Sequence, residues 1–377
     1  MKKIFQIAGL GFGDCGKGST TDFLVWKYNA GLVVRYNGGC QAGHNVVMPD
    51  GRWNTFQQFG SGTFHPGVRT HLSRFMLVNP ANQMREAEYL QSIGVTDVWE
   101  RTTVDSQALI VAPFFRELNR LLTLPGQRTN STGQGIGKCR QFHLEFGDRA
   151  LFAGDLKNET LVRQKLKFIE RWASDELSAA GIATKPFVRY VTGIGQHNDA
   201  IDLCWSWYKD WPAKVVDRKH LKTLLAKTDC AIFEGAQGVL LDENHGEPGF
   251  NSWTDTTFTN SNLLLGECGY IDGNIKKVGV IRTYYTRHGL GAFPTEDPTL
   301  SYPEPHNESG FPGAFRYGRF DEQLFRKALD ICGGVDMIAL NHLDQAPNPL
   351  PAEFQKLVGI EGYGPTYSDR RLLCLKP

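Results

Sequence analysis

The sequence predicts an α/β fold: a mostly parallel central sheet flanked by helices, with a P-loop-like phosphate loop after strand 1. Three observations predict it. The N-terminal stretch runs from a short apolar strand (Ile4-Phe5-Gln6-Ile7-Ala8) through a glycine-crowded turn (Gly9 to Gly18) into a helix start. Further short apolar runs, at residues 32–36, 230–234, 278–283 and 337–340, each lead into a polar loop, several of them glycine-rich. Residues 156–228 alternate helical patterns with few glycines, as helices covering a sheet do.

The first loop is read as a phosphate site. Glycines let the backbone come close to a ligand, and the helix N-terminus behind them offers free N–H groups to an anion. Gly11, Gly13 and Gly16 satisfy the dinucleotide spacing G-x-G-x-x-G. The second apolar run, however, ends in Arg35 and Tyr36 instead of the acidic residue that would hold a ribose. Gly11 to Lys17 also satisfies G-x-x-x-x-G-K, but Gly18 stands where Ser or Thr would hold Mg²⁺, and Asp14 has been added. The simplest repair is that Asp14 holds the Mg²⁺ or acts as a base beside it. The bland alternative, a glycine-rich turn with a solvated Asp, fits the strand–loop–helix context less well.

Composition narrows the function classes. The 377 residues carry a net charge of +1 without a basic run, which excludes an obvious nucleic-acid groove. No apolar stretch approaches the length needed to span a bilayer, so no membrane partner is expected. The eight cysteines show no C-x-x-C pair, which argues against a zinc site or a disulfide framework and for a reducing cytoplasm. The start Met1-Lys2-Lys3 is not followed by a signal-like apolar run. With no internal repeat or low-complexity linker, residues 1–377 are expected to form one domain.

The rest follows in order. Residues 19–28 are predicted as a helix with Phe23, Leu24 and Trp26 toward the sheet. The strand at 32–36 leads into Asn37-Gly38-Gly39-Cys40-Gln41-Ala42-Gly43-His44-Asn45, where His44 suits a general acid and Gln41 a base edge. Two glycine loops beyond neighbouring strands would face one crevice. Residues 46–59, around Pro49-Asp50-Gly51, suggest a hairpin, residues 74–78 a strand, and residues 80–92 a helix. Asn130 to Gly137 is a third glycine-rich loop with hydroxyls suited to a monophosphate. After the strand at 230–234 come Gly235-Ala236-Gln237-Gly238 and then Ser252 to Thr257. Residues 298–312 suggest a mobile loop. Asn341-His342-Leu343-Asp344 is similar to the N-K-x-D device of guanine-nucleotide proteins, with His in place of Lys.

Taken together, these loops resemble the adenylosuccinate synthetases over nearly the whole chain. The matching motifs are Gly13-Asp14-x-Gly16-Lys17-Gly18, Gly38-Gly39-x-x-Ala42-Gly43-His44, Ser131-Thr132-Gly133-x-Gly135-Ile136-Gly137, Phe233-Glu234-Gly235-Ala236-Gln237-Gly238, Gly291-Ala292-Phe293-Pro294-Thr295-Glu296, and Leu343-Asp344. The resemblance implies a ligase that joins L-aspartate to C6 of a 6-oxopurine 5′-monophosphate, using ATP or GTP and Mg²⁺ through a 6-phosphoryl intermediate. It implies Asp14, His44 and Lys17 as catalytic residues, and Asp14 with the Gly43 carbonyl as metal ligands. Gly13, Gly16, Gly18, Asp344 and Gly364 would meet the triphosphate nucleotide. Gln41 and Gln237 would hold the purine, and Thr132 and Ser252 its phosphate. It also implies a homodimer in which an Arg of the second subunit reaches that phosphate; Arg149 is the nearest candidate. Arg287, Arg316 and Arg319 are candidates for gripping aspartate, since a guanidinium can hold a carboxylate bidentately.

Departures from the pattern point to a branch. The usual aspartate-binding loop carries paired threonines before an arginine run; Gly310 to Arg319 has no threonine and two separated arginines. That loop, the Gly362 to Asp369 tail, Ser131 to Gly135 and the short chain resemble the viral branch, which joins aspartate to dGMP on the way to diaminopurine. The expected substrate is therefore dGMP, with IMP the alternative. Asp14 stays where some members of that branch carry Ser, and Asp344 favours GTP. A nucleotide-binding protein without catalysis and a dehydrogenase are the readings from other classes; the presence of Asp14, Lys17, His44 and Gln237 together argues against the first.

Overall fold

The computed structural model describes residues 2–123, 131–182, 199–270, 274–303, 311 and 313–373. Asn130 and most of the loop expected at 298–312 therefore lie outside the described residues.

In chain order the elements are β1 (Lys3–Gly9), α1 (Lys17–Tyr28), β2 (Leu32–Arg35), β3 (His44–Val47), β4 (Trp53–Phe56), β5 (Arg69–Leu72), β6 (Leu77–Val78), α2 (Pro80–Ser92), β7 (Thr102–Asp105), β8 (Leu109–Ile110), α3 (Pro113–Leu122), α4 (Ile136–Phe146) and α5 (Glu159–Ala179). They continue with α6 (Ala200–Lys209), β9 (Lys214–Val216), α7 (His220–Ala226), β10 (Cys230–Glu234), α8 (Thr259–Glu267), β11 (Ile275–Arg282), β12 (Tyr285–His288), β13 (Phe315–Gly318), α9 (Glu322–Cys332), β14 (Met337–Asn341), α10 (Ala352–Gln355), β15 (Val358–Gly362) and β16 (Arg370–Leu372).

The ten-stranded sheet has the order β16-β15-β14-β11-β1-β10-β2-β5-β7-β9. Every neighbouring pair is parallel except β15 with β16. A parallel sheet is covered on both faces, so its inner strands are mostly apolar and are buried on both sides. The strands β2, β10 and β14 are buried at every position. One consequence positions the site. β2, β10, β1, β11 and β14 lie side by side and parallel, so the loops that follow them all leave the same edge of the sheet.

Helix α2 matches its expected span because its start is encoded locally: Pro80 sits in the first turn and the Asn79 side chain accepts the Asn82 N–H at 3.1 Å. The hairpin around Pro49-Asp50-Gly51 is β3–β4. Two expectations are corrected. The strand expected at 74–78 is reduced to the two-residue β6, and the sheet instead takes Arg69–Leu72. The polar Thr70 and His71 hide that strand in the sequence. Trp26 does not face the sheet. It lies 200° round α1 from Leu24, is 47% exposed, and stacks on Tyr367 with ring centroids 5.0 Å apart.

His71, 1% exposed in β5, faces Thr103 Oγ1 at 2.9 Å from its Nδ1. Burial, with the nearby His220 charge, pushes its pKa down to about 3. The ring is thus neutral in the folded chain but protonates below pH ~6.5 when unfolded. The unfolded state binds the extra proton, so stability falls as the pH falls from that value toward 3. Between pH 7 and 5 the wild type should lose about 2 kcal/mol that His71→Gln does not lose. Melting curves of both proteins across this range test it; parallel curves would contradict it.

Candidate active site

The loops at the carboxyl edge of the sheet enclose a cleft of about 980 Å³. Gly13, Asp14, Gly16, Lys17 and Gly18 line it from the loop after β1 and the start of α1. Gln41, Gly43 and His44 line it from the loop after β2, Thr132 from before α4, Gln237 and Ser252 from after β10, and Asp344 and Gly364 from the far end. The structure thus brings together thirteen expected positions scattered from residue 13 to residue 364.

The phosphate loop is held in an unusual backbone. Asp14 and Gln237 both have positive φ, at 46° and 64°, as does His342 at 66°. Non-glycine residues seldom adopt this region, and where they do so away from a helix end the conformation often belongs to a functional site. Gly16, at φ 88°, is required twice over: a Cβ there would stand 2.7 Å from Asn341 Nδ2. The Asn341 amide donates to the Cys15 carbonyl at 2.9 Å, which clamps the loop to the end of β14. Asn37 ties the neighbouring loops in the same way. Its amide donates to Ala236 O at 3.2 Å and accepts the Ala236 N–H at 2.6 Å.

Gly18 lets α1 press against His44, since an added Cβ would lie 2.7 Å from His44 Cβ. Gly18→Ala should therefore move the imidazole and cost about a hundredfold in turnover while the helix itself gains from alanine. A variant with wild-type turnover would show that the His44 position is not critical.

Asp14 is 26% exposed, and its Oδ2 lies 3.1 Å from His288 Nε2. Arg282 Nε donates to the Asp14 carbonyl. Burial raises the carboxyl pKa, but the hydrogen bond and charge of His288, with Arg282 and Lys17, outweigh it and hold the group below its ordinary range. Asp14 is thus an ionised carboxylate at neutral pH, able to accept a proton. Lys17 is 4% exposed and lies beside it.

His44 Nδ1 sits 2.6 Å from Glu234 Oε1, both buried. Glu234 also accepts the Ser61 N–H at 3.0 Å and the Ser61 hydroxyl. Arg35 Nε is 4.0 Å from its other oxygen. Burial opposes the charge on Glu234, but Arg35, His44 and Ser61 overcome it and hold its pKa down to about 2. Burial pushes His44 to about 4 despite the Glu234 charge, so the free ring is neutral and donates Nδ1–H to the carboxylate. Sequence reasoning gave Glu234 no role. The signal was there: a carboxylate closing an otherwise apolar strand, opposite an arginine closing the next one, paired in register.

Four expected residues do not line the cleft of the single chain. Arg149 lies over the Phe168 ring at 4.9 Å. Arg287, 2% exposed, donates to Ala292 O, approaches Glu247 at 3.3 Å and stacks on Phe12. Arg316 pairs with Glu296 at 2.7 Å and Arg319, 71% exposed, with Asp297 at 2.7 Å. Arg282, His288 and Arg370, which the sequence left without a role, line the cleft instead, together with Asn341 of the N-K-x-D-like motif. Arg370 ties β16 to α1 through the Ser19 hydroxyl at 2.5 Å.

Asp14 and Gly43 line the same cleft as the α1 N-terminus, and a carboxylate and a peptide carbonyl are hard oxygen donors. Among the described residues no three His, Cys, Asp or Glu side chains form a metal cluster. One carboxylate and one carbonyl next to a phosphate site fit Mg²⁺, which keeps waters and takes phosphate oxygens, and do not fit zinc. No helix among the described residues is long and apolar enough to cross a membrane.

Comparison with known proteins gives the family and the fold. The adenylosuccinate synthetase family profile matches residues 6–348. The adenylosuccinate synthetase of Pelodictyon phaeoclathratiforme is 29% identical over 89% of this chain and 72% of its own length. That of Buchnera aphidicola is 31% identical over 78% of this chain and 66% of its own. Among solved structures, fully ligated adenylosuccinate synthetase from Plasmodium falciparum superposes with a TM-score of 0.76, covering 99% of this chain and 100% of that one at 18% identity. The succinoaminodeoxyadenylate synthetase of cyanophage S-2L, bound to dGMP and to dATP as an energy donor, gives 0.68, covering 99% and 95%, also at 18% identity.

Proposed function

The chain belongs to the adenylosuccinate synthetase family of C–N bond-forming ligases, and we propose that it joins L-aspartate to C6 of dGMP at the expense of a nucleoside triphosphate. The observation that carries the chemistry is the convergence of Asp14, Lys17 and the Glu234-held His44 on one cleft.

Asp14 takes the N1 proton of the purine, and negative charge builds on O6. O6 then attacks the γ-phosphorus. The new O6–P bond forms as the bridging P–O bond breaks, and the diphosphate leaves. The α1 N-terminus and Lys17 hold the phosphates in line, which is most of what such a transfer needs. Asp14 and the Gly43 carbonyl would hold Mg²⁺, which would supply positive charge against the phosphates. His44 hydrogen-bonds the reacting oxygens, with Glu234 behind it to carry a second ring proton once the anionic nucleotide is bound. The aspartate amine next attacks C6, the C6–O bond breaks, and O6 leaves within inorganic phosphate. Gln41 and Gln237 hold the base, and Thr132 and Ser252 the monophosphate. Gly364 and Asp344 meet the triphosphate nucleotide. Arg287, Arg316 and Arg319, now held by Glu247, Glu296 and Asp297, receive the aspartate carboxylates in exchange for those partners. Arg149 acts across a homodimer.

The segment 310–319, without threonines, and the 362–369 tail support dGMP. The ionised Asp14 is compatible with it, because a carboxylate can accept both N1–H and the 2-amino N–H of guanine. IMP is the second reading, favoured by the ordinary synthetases that the sequence matches. Purine monophosphate labelled with ¹⁸O at O6 tests the route. The label should appear in inorganic phosphate; label released to water would overturn the 6-phosphoryl intermediate.

A further inference from the structure

The loop after β14 presents to the cleft an amide whose orientation is fixed from behind. Gln345 lines the cleft next to His342 and Asp344. Its Oε1 accepts the Tyr284 hydroxyl proton, and that hydroxyl accepts an N–H from Arg282 Nη1 at 3.0 Å. Tyr284 is itself held in place, stacked on Tyr302 with centroids 4.1 Å apart and rings 16° from parallel. With the amide oxygen engaged, the Nε2 group has no partner among the described residues. It is the part of the amide left for a ligand, and it is a donor only. The backbone supports the same placement: His342 turns at φ 66°, and the Gln345 N–H closes that turn on the His342 carbonyl at 3.1 Å.

We propose that Gln345, aimed by the Tyr284 hydroxyl, reads the O6 edge of the base of the nucleoside triphosphate and so selects guanine. This rests on the reading above that places that base at Asp344. The chemistry of the two side chains is complementary to one base edge. Asp344 offers a carboxylate, which accepts two adjacent N–H groups, and Gln345 offers a donor beside it. Guanine presents O6 as acceptor next to N1–H and the 2-amino N–H, and satisfies all three. In the same pose adenine puts its 6-amino donor where O6 lies, an acceptor where N1–H lies and a C–H in place of the 2-amino group, so it offers no acceptor to Gln345 and no N–H to Asp344. A site that leaves a polar group unmet discriminates against the poorer ligand. Gln345 is therefore a specificity-determining residue, and Tyr284 a positioning residue that acts through it.

Displacement of a fluorescent GTP analogue from the full chain by GTP, ITP and ATP tests this without depending on turnover. ITP keeps O6 and N1–H but lacks the 2-amino group. Gln345→Leu should weaken GTP and ITP by about three- to tenfold, the loss of one neutral hydrogen bond, and leave ATP within about twofold. Tyr284→Phe should move GTP and ITP in the same direction by less, because the amide survives but is no longer aimed. Equal weakening of GTP and ATP would make Gln345 a wall residue and overturn the proposal, as would unchanged GTP and ITP. Asp344→Asn serves as the benchmark. If it alters the GTP-to-ATP ratio while Gln345→Leu does not, only the role of Gln345 fails. If it leaves the ratio unchanged, the placement of the base at Asp344 fails.

Discussion

Asp14→Asn should abolish ligation while nucleotide binding stays measurable. The amide keeps the size of the side chain and the left-handed turn that asparagine tolerates. It cannot take the N1 proton, and without that step O6 carries too little charge to attack phosphorus. A positioned general base contributes about 10²–10⁴-fold, and the loss in turnover should fall in that range, about 10²–10⁴-fold. Binding of the triphosphate should weaken by less, since Lys17 and the α1 N-terminus remain and only the Asp14 ligand to Mg²⁺ is lost. Pre-steady-state phosphate release and nucleotide titration separate the two effects. A variant with near-normal turnover would remove Asp14 from the role of base.

His44→Ala should be the second large effect, about 10²–10³-fold in turnover, because it deletes a donor aimed at developing charge. The sharper comparison is Glu234→Gln. Its amide can still meet the ring, but it no longer carries the charge that supports a second ring proton. It also leaves Arg35 buried without its counter-charge, which is costly to stability. Ser61→Ala removes one acceptor contact of Glu234 without touching either charge. The expected order of turnover is wild type, Ser61→Ala, Glu234→Gln, His44→Ala. Turnover of Glu234→Gln equal to wild type, in protein shown to be folded, would mean that Glu234 serves the core alone.

Much of this site is legible in the sequence because parallel sheets put their binding loops directly after apolar strands. Asp14, Lys17, His44, Gln237 and Asp344 could each be found by reading past the end of such a run. What could not be read is which strands lie side by side. β1, near residue 5, pairs with β10 and β11, more than two hundred residues away, and this pairing brings Arg282 and His288 onto Asp14. The Arg35–Glu234–His44 cluster is hidden for the same reason: its members meet only once β2 and β10 are in register. β5 was hidden by chemistry instead, since Thr70 and His71 satisfy their polar atoms inside the sheet and so break the apolar pattern. The arginines expected to grip aspartate were chosen by type and spacing. In the folded chain each has a protein acceptor close by, which spacing cannot reveal.

The measurement that tests the account most directly is phosphate release from ATP and GTP, with dGMP and IMP side by side, in the presence and absence of L-aspartate. The account predicts release that requires aspartate together with the monophosphate, and faster release with dGMP than with IMP. Turnover with IMP alone would contradict the substrate assignment and leave the ligase chemistry standing. Release that ignores aspartate, or no release with either purine, would contradict the ligase itself.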